Sequence, residues 1–135
     1  MLRLVRLFLV RHAEAGPGEP DDLRRLTSAG RTSARALGRR LAAEGVRPDA
    51  ILTSPLLRAR ETGQEIARAT GATVEPDERL APGAGADDVL AAVAGRGEAI
   101  VVVGHQPDCG RITAALGDGP APAFPPGAMV ELTLA

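Results

Sequence analysis

The sequence predicts an α/β fold: a mostly parallel, five-stranded sheet with helices on both faces. Three observations carry that prediction. Short apolar runs alternate with helical stretches along the 135 residues, and no repeat or linker divides them. Residues 4–10 and 99–104 are apolar runs of buried-strand type. These two runs lead directly to the chain's only histidines, His12 and His105. Ligands of open parallel sheets bind at the carboxyl ends of the strands, so one fold accounts for both positions.

The elements follow in order. Residues 4–10 are short, partly β-branched and aromatic, then stopped by polar residues, as a first strand should be. Residues 16–22, Gly-Pro-Gly-Glu-Pro-Asp-Asp, are loop by composition. Thr27 or Ser28 caps a helix running to about Glu44. Ala34, Leu37 and Leu41 lie on one stripe of it, Arg31, Arg35 and Arg39 on another, and Gly45 closes it. The turn residues Pro48 and Asp49 lead into a second strand at 50–53. Pro55 near the start and Gly71 past the end bracket a second helix. Residues 73–75 read as a third strand, 87–94 as a third helix and 99–103 as a fourth strand. A short helix at 109–116 and a Pro/Gly-rich loop at 117–127 precede a final alternating strand at 129–134. Strand and helix in strict alternation argue a parallel sheet covered on both sides.

Composition narrows the function. The length suits one domain with a real core. A net charge of -1, with Phe8 and Phe124 as the only aromatics, offers nucleic acid neither a basic footprint nor a stacking platform. All basic residues are arginine, which removes Schiff-base lysines and a P-loop. Cys109 is the single cysteine, so there is no disulfide framework or thiolate metal cluster, and it reads as a small buried hydrophobe. Residues 4–10 are interrupted by Arg6, lack a cleavage site and are too short to span a bilayer. The expectation is a cytoplasmic protein with no membrane or nucleic-acid partner.

The chemistry-bearing residues fall in three segments. Arg11-His12 follows the first strand and precedes Glu14 and a Gly/Pro loop. An imidazole attacks phosphorus through one neutral nitrogen, so the other must hold its proton, usually against a backbone carbonyl. An adjacent guanidinium grips phosphoryl oxygens as a bidentate fork. Ser54-Pro55-Leu-Leu-Arg58-Ala59-Arg60-Glu61-Thr62 runs from a strand end into a helix whose free N–H groups suit an anion. Arg58 near the first turn is unfavourable for the helix dipole and asks for a compensating anion; the alternative is a surface ion pair. Arg60 is assigned to the solvated face. In Gly104-His105-Gln106-Pro107-Asp108, Gly104 lets the backbone come close and His105 projects from the strand end. Zinc ligation by the two histidines and Glu14 is the competing reading. It lacks a spaced His pair and sets two arginines beside a cation.

Together Leu-Val-Arg11-His12-Ala13-Glu14-Ala15, Leu26-Thr27-x-x-Gly30, the Ser54–Thr62 segment and Gly104-His105 resemble the histidine phosphatase superfamily, also called phosphoglycerate mutase-like. The likeness runs from residue 5 to about 132. Arg-His-Ala-Glu-Ala and Gly-His-Gln-Pro-Asp are most similar to its SixA-type phosphohistidine phosphatase subgroup. The resemblance implies a three-layer α/β/α sandwich, one domain over residues 1–135, and no metal or cofactor. It implies that His12 becomes transiently phosphorylated, that Arg11 and Arg58 hold the phosphoryl group and that His105 stabilises the transferring charge. Strands one and four should then be neighbours.

One departure stands out. Larger members carry a glutamate acid in a segment resembling Arg-Leu-x-Glu, whereas this chain reads Arg79-Leu80-Ala81-Pro82. Proline donates no proton, and Glu14 is the nearest substitute by sequence. An alkoxide leaving group, with a conjugate acid near water's pKa of ~15.7, needs an acid. An imidazole, titrating near ~6.5, needs far less help. The expected substrate is therefore phosphohistidine on a protein. A small phosphomonoester with Glu14 as acid, or a phosphate-binding module without catalysis, are the alternatives.

Overall fold

The computed structural model describes residues 4–135. Its strands are β1 (Val5–Arg11), β2 (Ala50–Thr53), β3 (Val74–Pro76), β4 (Ala99–Gly104) and β5 (Met129–Leu134). They form one sheet in the order β3-β2-β4-β1-β5, parallel except for β5, which runs antiparallel to β1. The helices are α1 (Ser28–Ala43), α2 (Leu57–Thr70), α3 (Ala86–Val93) and α4 (Asp108–Leu116).

Alternate side chains of the central strands serve opposite faces. Leu7, Leu9, Ile100 and Val102 pack with Val89 and Val93 of α3 and with Cys109 and Ile112 of α4. Phe8, Val10, Val101 and Val103 pack with Leu37 and Leu41 of α1 and with Ala59 and Ile66 of α2. Burial on both sides is why these strands read as unbroken apolar runs. Each large apolar side chain buried this way contributes roughly 1.5–3 kcal/mol. The result is the three-layer sandwich.

Local signals fix the helix ends. The Thr27 hydroxyl caps α1 by accepting the Gly30 N–H at 3.0 Å. Gly71 ends α2 in the left-handed region at φ 75°, with its N–H on the Ala67 carbonyl. Two short 3-10 turns, Asp21–Leu23 and Glu78–Leu80, were not foreseen, since three residues carry no usable periodicity. Nor was the burial of Glu61 and Glu65 on α2. The α1 and α2 helices run side by side in the same direction. Arg31 meets Glu61 at 2.5 Å, and Arg35 meets Glu65 at 3.1 Å.

Two features position the site. The β1 and β4 strands are neighbours, with Arg11 opposite Gly104, and the His12 N–H donates to the Gly104 carbonyl at 2.9 Å. The chain then leaves β1 for α1 on one face and β4 for α4 on the other, which opens a crevice at the shared carboxyl ends. Among the described residues no helix is long and apolar enough to cross a membrane.

Candidate active site

The crevice is a cleft of about 270 Å³ lined by Arg11, His12, Arg24, Arg58, Pro82, His105 and Gln106. His12 Nδ1 lies 2.8 Å from the Ala13 carbonyl oxygen. A carbonyl only accepts, so Nδ1 carries the proton and Nε2 keeps its lone pair. Burial pushes the His12 pKa below its ordinary 6.5, against the Ala13 bond that raises it, and the nearby arginines push it further down. The imidazole is therefore held neutral.

His105 is buried, 5% exposed, and its ring centroid sits 5.2 Å from that of His12, the planes tilted by 57°. Its Nε2 is 2.8 Å from the Ser54 hydroxyl, which stands at the end of β2 and also accepts the Leu56 N–H at 3.2 Å. Burial, then His12 and Arg58, push the His105 pKa down to about 4. Adjacent strand ends thus supply His12, His105 and Ser54 to one point.

The guanidiniums are held by backbone. Arg11, the last residue of β1, donates from Nη1 to the Phe124 carbonyl at 2.9 Å. That contact recruits the 117–127 loop to the site. Its buried Nε has no hydrogen-bond partner among the described residues. Arg58, in the first turn of α2, donates from Nη1 to the Asp21 carbonyl at 2.9 Å and from Nη2 to its carboxylate at 3.3 Å. Arg24 donates to the Gly16 carbonyl at 2.8 Å and to the Asp21 carboxylate at 3.0 Å. A cation at a helix N-terminus is thus accommodated by a carboxylate from the Asp21–Leu23 turn.

The structure brings together Arg11, His12, Arg58 and His105. It does not bring in Glu14, the expected proton donor. That side chain is exposed, and its carboxylate accepts the Thr27 hydroxyl at 2.8 Å, outside the cleft lining. Pro82 does line the cleft. Arg60, read as a solvated residue, is half-buried and folds back onto the Pro55 carbonyl at 3.0 Å. A Cβ on Gly104 would meet nothing closer than the Cys109 sulfur at 3.9 Å, so protein packing does not require glycine there. Cys109 is fully buried and burial pushes its thiol up to about 12, which leaves it inert at neutral pH. Sequence reasoning missed Arg24 and the Ser54 contact. Arg24 lies just before the Thr27 cap, where a charge reads as ordinary loop, and Ser54 reads as a turn residue before Pro55.

Comparison with known proteins converges on one family. The chain matches the model of the histidine phosphatase superfamily (branch 1) over residues 7–82. An uncharacterised protein of Picosynechococcus sp. is 36% identical over 124 residues, spanning 85% of this chain and 74% of its own. The chain belongs to the histidine phosphatase superfamily. Among solved structures, the protein histidine phosphatase SixA complexed with tungstate is similar at TM-score 0.85 and 27% identity, over 94% of this chain and 86% of its own. A candidate phosphohistidine phosphatase SixA from Agrobacterium tumefaciens gives TM-score 0.80 at 30% identity, over 94% and 89%. A mycobacterial glucosyl-3-phosphoglycerate phosphatase shares the fold at TM-score 0.73 and 20% identity, over 97% and 91%. Within this superfamily the present cleft is walled by three arginines and by Pro82.

Proposed function

We propose that this histidine phosphatase removes phosphate from phosphohistidine on a protein, in the cytoplasm, through a phosphorylated His12. The observation that carries the reading is the Nδ1 bond of His12 to the Ala13 carbonyl, which leaves Nε2 as the nucleophile in an arginine-lined cleft.

In the first transfer the Nε2 lone pair forms a bond to phosphorus while the bond to the substrate nitrogen breaks. The bonding pair returns to that nitrogen, and an imidazole already protonated on its remote nitrogen leaves neutral. In the second, a water oxygen bonds to phosphorus, the Nε2–phosphorus bond breaks and its pair returns to Nε2. Both water protons leave with the product as dihydrogen phosphate, and the His12 ring returns neutral. Arg11 and Arg58 hold the equatorial oxygens through both transfers, where charge stabilisation and positioning do most of the catalysis. If Ser54 gives its hydroxyl proton to His105 Nε2, the neutral ring keeps an Nδ1–H to donate to a phosphoryl oxygen. Pro82 in the wall fits a leaving group that needs no strong acid.

The test is dephosphorylation of a phosphohistidine protein against a panel of small phosphomonoesters, with His12→Ala as control. Fast, His12-dependent loss from the protein and sluggish monoester hydrolysis are expected. Normal turnover by folded His12→Ala, or preference for the monoesters, refutes the proposal.

A further inference from the structure

The charge of this chain is unevenly placed. Between residues 24 and 68 lie ten of its sixteen arginines but four of its seventeen carboxylates. A protein of net charge -1 therefore carries one strongly basic helix pair, balanced by acidic residues elsewhere. On that pair Arg31 and Arg25 share Glu61, and Arg35 takes Glu65, as successive rungs of a ladder. The third rung is broken. Arg39 falls opposite Ala69, and this exposed arginine has no carboxylate partner among the described residues. Arg68, 68% exposed, reaches only Glu65, at 3.7 Å. Arg35, Arg39, Arg68 and Ala69 surround an open groove of about 320 Å³ in which two of the three guanidiniums share the Glu65 carboxylate and the third has none among the described residues.

Holding α1 to α2 does not explain the surplus. Like charges four residues apart destabilise a helix, and Arg31, Arg35 and Arg39 are spaced that way. Two rungs suffice for the ion pairs; the third adds only repulsion unless something acidic covers it.

We infer that the groove at Arg35, Arg39 and Arg68 is a docking surface for an acidic segment of the phosphohistidine-bearing protein. The inference rests on the function proposed above and names the surface chemistry of its substrate. Arg58 in the cleft and Arg68 in the groove are on the same helix, ten positions and so about 15 Å apart. An extended chain covers that distance in about five residues. Carboxylates about five positions from the phosphohistidine therefore reach the groove while the phosphoryl group sits between Arg11 and Arg58. Arginine forks suit carboxylates, which they bind bidentately. Arg25 and Arg31 both pair with Glu61, which lies between Arg58 and Arg68 on α2.

The probes are two synthetic peptides carrying one chemically phosphorylated histidine, with glutamates about five residues to either side in one and glutamines there in the other. Phosphoramidate serves as the small substrate. The wild-type protein should favour the glutamate peptide by about ten-fold in kcat/KM at low ionic strength, and added salt should erase the preference. Arg39→Glu/Arg68→Glu should abolish the preference and leave phosphoramidate turnover unchanged. Arg39→Gln/Arg68→Gln should reduce it without placing a new carboxylate beside Glu65. Equal rates on the two peptides, or a preference that survives the charge changes, overturns the docking surface while phosphohistidine turnover stands. Turnover of monoesters with neither peptide touched overturns the underlying function and the docking surface with it.

Discussion

Gly30→Ala tests whether the His12 tautomer depends on how closely α1 seats against the end of β1. A Cβ at Gly30 would lie 2.1 Å from the Glu14 carbonyl oxygen and 3.1 Å from the Glu14 C and N. Contacts under 3.0 Å essentially never occur, and all three atoms are backbone, so no rotamer change relieves them. The same Glu14 carbonyl accepts the Thr27 N–H at 3.0 Å, which ties the strand end to the helix cap. Glu14 must therefore retreat by about 1 Å, an overpacking that costs about 1–3 kcal/mol. Replacing glycine in a helix returns up to about 1 kcal/mol. The net loss is about 1–2 kcal/mol, or a Tm lower by about 3–8 °C for a chain of this length. The displaced residue adjoins Ala13, whose carbonyl holds His12 Nδ1 at 2.8 Å. A shift of about 1 Å there should lower kcat by about 100-fold, with KM changed much less. Thermal denaturation and steady-state kinetics read the two effects. An unchanged or raised Tm together with wild-type kcat would refute the reasoning.

Three further outcomes follow from the same geometry. Because burial and the arginines push both histidines below 6.5, His12 stays neutral into mildly acid solution, and the acid limb of kcat/KM should fall below 6.5. Glu14→Gln should leave that limb in place, and an inflection at or above 6.5 would contradict the first statement. Ser54→Ala removes the partner of His105 Nε2 and should lower kcat by about ten-fold with little change in Tm. Glu61→Ala leaves the buried Leu26 N–H without its acceptor and frees the more exposed Arg25 and Arg31 to water, and should cost about 1–3 kcal/mol by urea unfolding at pH 7. Burial alone would raise the Glu61 pKa, but the Leu26 N–H and the two guanidiniums hold it below 4.5. Its contribution is therefore complete above that value and lost as pH falls through the lowered one, so wild type and variant should converge in acid.

The features legible in the sequence were those written locally. Buried strands announce themselves by unbroken apolar runs, and Thr27 and Gly71 mark helix ends by their own backbone chemistry, whereas Pro55 falls just before the Leu56 cap of α2. The pairing of β1 with β4 was legible for another reason: only that neighbour relation brings His12 beside His105. What was not legible depends on contacts between distant elements. Glu61 and Glu65 look like solvated charges until α1 lies alongside with Arg31 and Arg35. Arg24 becomes a cleft residue because the Asp21–Leu23 turn offers one carboxylate, Asp21, to both Arg24 and Arg58. Glu14 shows the converse. It is two positions from His12, yet the Thr27 hydroxyl draws its carboxylate away.

The hydrogen bond from the His12 N–H to the Gly104 carbonyl has a consequence for biogenesis. It closes a loop that spans most of the polypeptide, and contacts of such long sequence separation form late and slowly. During synthesis His12 has no β4 partner until position 104 is made. The His12 imidazole therefore acquires its Ser54-braced neighbour His105 and its register only when the sheet closes. A cleft with both histidines in place is therefore a sign that β1 and β4 have already joined across most of the sequence between them.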